Sequence, residues 1–163
     1  MSDFGIHVLS LGAGLIAVSP VPGRSGDYET DLSTLLHWAP HLVLTMTTQS
    51  EMDRMGASSF GHDLEAVGIA WHHLPIVDFG APDATIRHQW HEVSAQAHTL
   101  LKEGGRVLSH CFGGCGRSGM VALRLMVEAG EAPDAALARL RAVRPCAVER
   151  DAQFDWASQT SGH

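Results

Sequence analysis

Residues 108–119 read Leu-Ser-His-Cys-Phe-Gly-Gly-Cys-Gly-Arg-Ser-Gly. Two chemistries fit this stretch. From Gly114 to Gly119 it is G-x-G-x-x-G, the pattern of a loop that cradles a dinucleotide pyrophosphate. From Cys111 it is a cysteine, five residues, then Arg117 and Ser118. A loop of that length, leaving a strand and entering a helix, turns its backbone N–H groups inward. Gly113, Gly114 and Gly116 let the backbone curl without Cβ clashes. The product is an anion nest at the positive end of a helix. The backbone N–H groups of Phe112, Gly113, Gly114, Cys115, Gly116 and Arg117 would hold a phosphate there, or a sulfate or vanadate in its place. The Arg117 guanidinium can fork onto two phosphate oxygens. Cys111 lies at the bottom of the nest, where the same field favours the thiolate, the form that attacks phosphorus. The bland alternative for Cys111 is a small buried hydrophobe.

Either chemistry needs a strand before the loop and a helix after it. Arg-Val-Leu-Ser-His (106–110) reads as the strand, and residues 117–129, apolar nearly all round, as a buried helix. A dinucleotide site also needs a further strand bearing an acidic residue. Here the chain continues as a helix begun by Pro133, with Asp134 at its start and Arg139, Arg141 and Arg144 crowding its end, where they favour the dipole. Pro145 stops that helix, and a short one follows Glu149.

Upstream, residues 6–11 and 14–19 pair as a hairpin across Gly-Ala-Gly. Leu32, Leu35, Leu36 and Ala39 mark a helix stopped by Pro40. Residues 41–46 and 69–74 read as short strands, with a helix ending at Gly68 between them. Ile86, Trp90, Val93, Ala97 and Leu100 form the stripe of a long helix, with Asp83 at its N-cap. Strands alternating with helices, with no hairpin after the first, indicate one α/β domain over residues 1–163, its mainly parallel sheet covered by helices on both faces.

The segment His110–Gly119 resembles the active-site loop of cysteine-dependent protein phosphatases, the protein-tyrosine and dual-specificity group. The nearest resemblance is to the kinase-associated phosphatase subgroup, cyclin-dependent kinase inhibitor 3-like, and its bacterial relatives. Residues 72–83 resemble that subgroup's general-acid loop, 139–153 its C-terminal helix and glutamine-bearing segment, and 20–32 its N-terminal loop and first helix. The resemblance implies a four- or five-stranded, mostly parallel sheet flanked by helices. It implies hydrolysis of phosphotyrosine or phosphoserine/threonine through a phosphocysteine, with no metal or cofactor required. Asp78 would be the general acid on a loop stiffened by Pro75 and Pro82 and freed by Gly80; Asp83 competes but is better explained as a helix cap. Gln153 either positions the second-step water or is a surface residue. Ser118 would ease thiolate departure, and His110 would orient the loop. A phospho-binding pseudoenzyme and a dinucleotide-binding protein are the alternatives.

Composition bounds the rest. A formal net charge of −7 argues against nucleic acid and anionic membrane as partners. The apolar stretch 6–20 has no basic leader region, which favours a cytoplasmic protein. Lys102 is the chain's one lysine; a loop without lysine argues for a singly phosphorylated group, as on a phosphoprotein or phosphopeptide. Eleven histidines, His72, His73, His88 and His91 among them, show no complete metal-ligand spacing. Three cysteines are too few for a disulfide scaffold and suggest a reduced compartment. Cys115 is either a small space-filler or a redox guard that bridges to Cys111, and Cys146 is read as structural.

Overall fold

Alternation along the strands decides the layering. Ile16, Leu42 and Val107 share one row of the sheet and face one apolar cluster; Ala17, Val43 and Leu108, one residue on, face another. These three central strands therefore bury both faces, and helices must cover both. The structure, a computed structural model, describes residues 4–159. Strands β1 (His7–Leu11), β2 (Gly14–Ser19), β3 (Leu42–Thr45), β4 (Ala70–His73) and β5 (Arg106–His110) form a five-stranded sheet in the order β1-β2-β5-β3-β4. The β1–β2 hairpin is antiparallel and the other pairings are parallel.

Helices α1 (Tyr28–Trp38), α2 (Gln49–Arg54) and α3 (Phe60–Ala66) cover one face. The other is covered by α4 (Ala84–Lys102), α5 (Gly116–Glu128), α6 (Pro133–Val143) and α7 (Asp151–Ala157). Local chemistry sets the ends. Asp83 accepts from Ile86 N at 2.9 Å and caps α4, as its position predicts. Ala39 takes a left-handed conformation (φ 62°) at the end of α1, just before Pro40. Helix α5 is buried from Gly116 to Val127, sandwiched between the sheet and α6 and α7.

Two readings need correction. The sequence reading assigns no element to residues 49–54, where helix α2 is too short to show an apolar stripe. Its signal is Thr48-Gln49-Ser50-Glu51, in which Thr48 Oγ1 accepts from Glu51 N and Glu51 Oε1 accepts from Thr48 N. The α6 arginines are not placed for the dipole alone. Arg139 pairs with Glu131, while Arg141 donates to the Ala147 and Val148 carbonyls, and Arg144 reaches back to the β5–α5 loop.

The parallel strands β2 to β5 all end on one edge of the sheet, so the segments that leave them meet there.

Candidate active site

The β5–α5 loop is tied outward through its carbonyls. Phe112 O accepts from Val21 N at 3.1 Å, Gly113 O and Gly114 O accept from Arg144 at 2.8 and 3.0 Å, and Cys115 O accepts from Val148 N at 3.2 Å. With its carbonyls turned out, the loop turns its N–H groups in. Among the described residues, the N–H groups of Phe112 to Arg117 donate to no protein acceptor. Inward N–H groups without protein acceptors are what an anion nest requires.

The glycines matter for separate reasons. Gly114 has φ +75°, and a methyl group there would lie 2.7 Å from Ser19 C and Pro20 N. A methyl at Gly116 would collide with the Glu149 carboxylate, and one at Gly113 would meet nothing closer than Arg24 at 3.6 Å. Gly114 thus makes the curl, Gly116 makes room for its neighbours, and Gly113 is not sterically demanded by the protein.

Cys111 is buried at the base of the nest with Sγ 3.2 Å from Ser118 Oγ. Arg117 is 1% exposed, and its guanidinium is fixed by Glu51 of α2. Nη1 and Nη2 donate to the two Glu51 oxygens at 2.7 and 2.8 Å, and Nη1 also donates to Ile76 O at 2.8 Å. Burial opposes ionisation of Glu51, but hydrogen bonds from Arg117 and Thr48 outweigh it and pull its carboxyl down to about 2. Arg117 Nε is buried without a hydrogen-bond partner among the described residues. The guanidinium thus keeps donor capacity beside the nest after Glu51 has fixed its plane. Glu51 is the residue that sequence reasoning missed, and the Thr48–Glu51 capping pattern is the signal that could have found it.

His110 is fully buried. Desolvation pushes its imidazole down to about 4, so the ring is neutral at pH 7. Its Nδ1–H faces Cys111 O at 3.3 Å, and its Nε2 accepts from Thr45 Oγ1 at 2.8 Å, which itself accepts from Trp71 Nε1 at 2.7 Å. A neutral ring held at both nitrogens fixes the peptide beneath the nucleophile.

Asp78 lies on the loop after β4, 54% exposed at its side chain and 3.3 Å from Arg117 Nη2. It lines a cavity of about 260 Å³ together with Cys111, Phe112, Gly113, Cys115, Gly116, Arg24, Phe79, Arg144 and Glu149. Asp83, by contrast, is spent on capping α4. Gln153 is buried, so its surface reading fails. Its Oε1 accepts from Glu149 N and Arg150 N at 2.9 and 3.2 Å, and its Nε2 donates to Gly80 O at 3.1 Å. The start of α7 is thereby joined to the acid-bearing loop.

The cysteines differ from expectation. Cys115 is neither a free space-filler nor a partner of Cys111: it is disulfide-bonded to Cys146, and Cys111 is the free thiol. As the N-cap of α5, Cys115 faces the α6–α7 segment, where the two Cα atoms stand 5.2 Å apart. The expected reduced trio is a bridged pair and one nucleophile candidate.

Charge also enters from outside the lysine-free loop. Arg24 and Arg54 sit over the Phe112 ring at 5.3 and 5.7 Å, and Arg150 lies over Phe79 at 4.7 Å. As for the dinucleotide pattern, the chain runs from α5 into α6 and α7, and Asp134 falls in the first turn of α6, not on a strand. Among the described residues, no group of three or more His, Cys, Asp or Glu is placed to hold a metal ion.

Comparison with known proteins agrees with this geometry. A family model described as cyclin-dependent kinase inhibitor 3 matches residues 28–137. The rat protein of that name is 35% identical over 104 residues, covering 63% of this chain and 48% of the rat protein. The chain thus spans about half the length of the curated relatives it matches. Kinase-associated phosphatase, solved with serine replacing its catalytic-site cysteine, superposes with TM-score 0.83 at 24% identity, over 96% of this chain and 93% of that one. Tk-PTP in its active form superposes with TM-score 0.67 at 28% identity, over 86% of each chain. The matched span contains Glu51, Asp78 and the whole nest, and the chain belongs to the cyclin-dependent kinase inhibitor 3 family, with the fold of the dual-specificity phosphatases.

Proposed function

We propose that this chain hydrolyses phosphomonoesters on protein side chains through a phosphocysteine at Cys111. One observation carries the reading: a ring of inward, unpartnered N–H groups closes over a buried thiol, with the fixed Arg117 guanidinium beside it. Bound phosphate oxygens would take the N–H groups of Phe112–Arg117 and the unpartnered Nε–H of Arg117. Charge that develops on those oxygens in the transition state meets donors already aimed at them.

In the first step the Cys111 thiolate attacks phosphorus. The P–O bond to the leaving group breaks, and Asp78 gives that oxygen its proton. In the second step water attacks the phosphocysteine, Asp78 takes a proton back, and the P–S bond breaks. Ser118 Oγ–H, 3.2 Å from the sulfur, stabilises the departing thiolate. Gln153 would act from the start of α7, where its contact with Gly80 holds the acid loop near any water it positions.

The arginine-bearing rim favours an anionic substrate on a chain whose own net charge is −7. The relatives' names, cyclin-dependent kinase inhibitor 3 and kinase-associated phosphatase, favour a phosphoprotein over a small phosphate ester. A panel of phosphotyrosine, phosphoserine and phosphothreonine peptides tests the reading, with vanadate as inhibitor and NAD(P) binding as control. Release of phosphate that vanadate blocks is the expected result. Phosphopeptide binding without release would leave a pseudoenzyme, and NAD(P) binding would revive the dinucleotide pattern.

A further inference from the structure

We infer that the Cys115–Cys146 bond is a reversible redox site for a dithiol reductant, and that its closed form holds the phosphate nest in shape. Cys115 lies inside the nest, between the candidate nucleophile and Arg117, and begins α5. Cys146 is exposed on the segment between α6 and α7. This segment is the outer wall of the nest: Arg144 holds Gly113 O and Gly114 O, and Val148 N holds Cys115 O. The disulfide is the one covalent link in that wall. Farther along the chain, Gln153 reaches the acid loop at Gly80. Opening the bond leaves three hydrogen bonds, enough to keep the segment in place and too few to fix the loop as tightly.

Exposure and the helix end decide how the bond opens. A thiolate of the reductant attacks the sulfur of Cys146, the more exposed residue of the pair. The S–S bond breaks, and its electron pair leaves on Cys115 Sγ, at the positive end of α5, which favours a departing thiolate. That thiolate takes a proton from water. The second thiol of the reductant then displaces Cys146, which is protonated in turn, and the reductant leaves as a cyclic disulfide. Two electrons and two protons have passed to the protein. Cys111, buried and apart from this pair, takes no part.

The effect on phosphate rests on the proposed function; the thiol chemistry does not. The test uses the Cys111→Ser protein, which removes oxidation of the nucleophile as a confounding event. Peptide mapping of protein purified without reductant should find residues 115 and 146 joined, and dithiothreitol should open the bond without denaturant. Amide exchange at Val21 and Val148, whose N–H groups donate to Phe112 O and Cys115 O, should then quicken, and the dissociation constant for inorganic phosphate should rise roughly three- to ten-fold. The Cys146→Ser protein, with Cys111 intact, should show the quickened exchange with or without dithiothreitol. Absence of the 115–146 linkage, opening only in denaturant, or exchange unchanged on reduction would each overturn the inference. Failure of both forms to bind phosphate would instead count against the proposed function, and exchange would still decide the redox site.

Discussion

The nest and the acid loop stand at the same edge of the sheet, yet they are built in opposite ways. The nest is over-tied: its carbonyls, its arginine, its histidine and Cys115 are all held by neighbours, and Cys111 is buried. The acid loop exposes Val77 at 69% and Phe79 at 47%, and Phe79 sits at φ +63° in the turn where Gly80 N donates to Val77 O. It is moored by the Gln153–Gly80 bond and by Arg150 over the Phe79 ring. Donors that stabilise charge must be in place before the reaction, because moving them during it costs energy. A group that gives a proton and later takes one back needs access to leaving group and water, and a lightly held loop supplies that. On the proposed function, the tied loop would serve the phosphate and the exposed one the proton.

Substitutions can break this contrast. Cys111→Ser should cut phosphatase turnover by about 10⁴-fold or more, with unchanged circular dichroism and retained phosphate binding. Substantial turnover by that variant would remove the nucleophile from the account. Glu51→Gln should strike the rigid half next, because it leaves the buried Arg117 charge without its partner. A loss of about 3 kcal/mol in urea unfolding is expected. The same carboxylate gives a pH signature. Its pKa is depressed on folding to about 2 from the ordinary 4.5, so the unfolded chain binds more protons between those values. The stability it contributes is full above about 4.5 and lost as pH falls toward about 2. The Glu51→Gln protein should have a flatter stability profile across that window.

Asp78→Ala tests the exposed half. It should lower kcat by about 10²-fold while KM stays within a few-fold. Asp83→Ala should cost about 1 kcal/mol of stability through the lost α4 cap and spare kcat; the reverse pattern would move the acid to Asp83. Gln153→Ala should have the smallest effect, about 1 kcal/mol in stability from its lost hydrogen bonds and a lower kcat from a less well-moored acid loop.

Among the described residues, the sheet, six of the seven helices and the curled loop between Cys111 and Arg117 are legible because each rests on local pattern. Strand alternation, the Asp83 cap, Pro40, Pro75 and Pro145, and the Cys111–Arg117 spacing can all be read within a few residues. What escaped depends on contacts between distant segments. Glu51 lies 66 residues from Arg117, and its helix is 6 residues long, too short to show an apolar face. Cys115 was weighed against the cysteine nearest in sequence, but the fold of α6 carries Cys146, at a sequence separation of 31, to its side. Arg144 read as a helix-end cation because nothing local shows that its side chain reaches the Gly113 and Gly114 carbonyls.

On the proposed function, phosphate passes through covalent attachment to Cys111. Rapid acid quench of the protein during turnover of a phosphopeptide, followed by peptide mass spectrometry, tests it directly. One phosphoryl group is expected on the peptide containing Cys111, formed within the first turnover and missing from the Cys111→Ser protein. Turnover with no phosphorylated Cys111 at any quench time, or with the phosphoryl group on another residue, would contradict it.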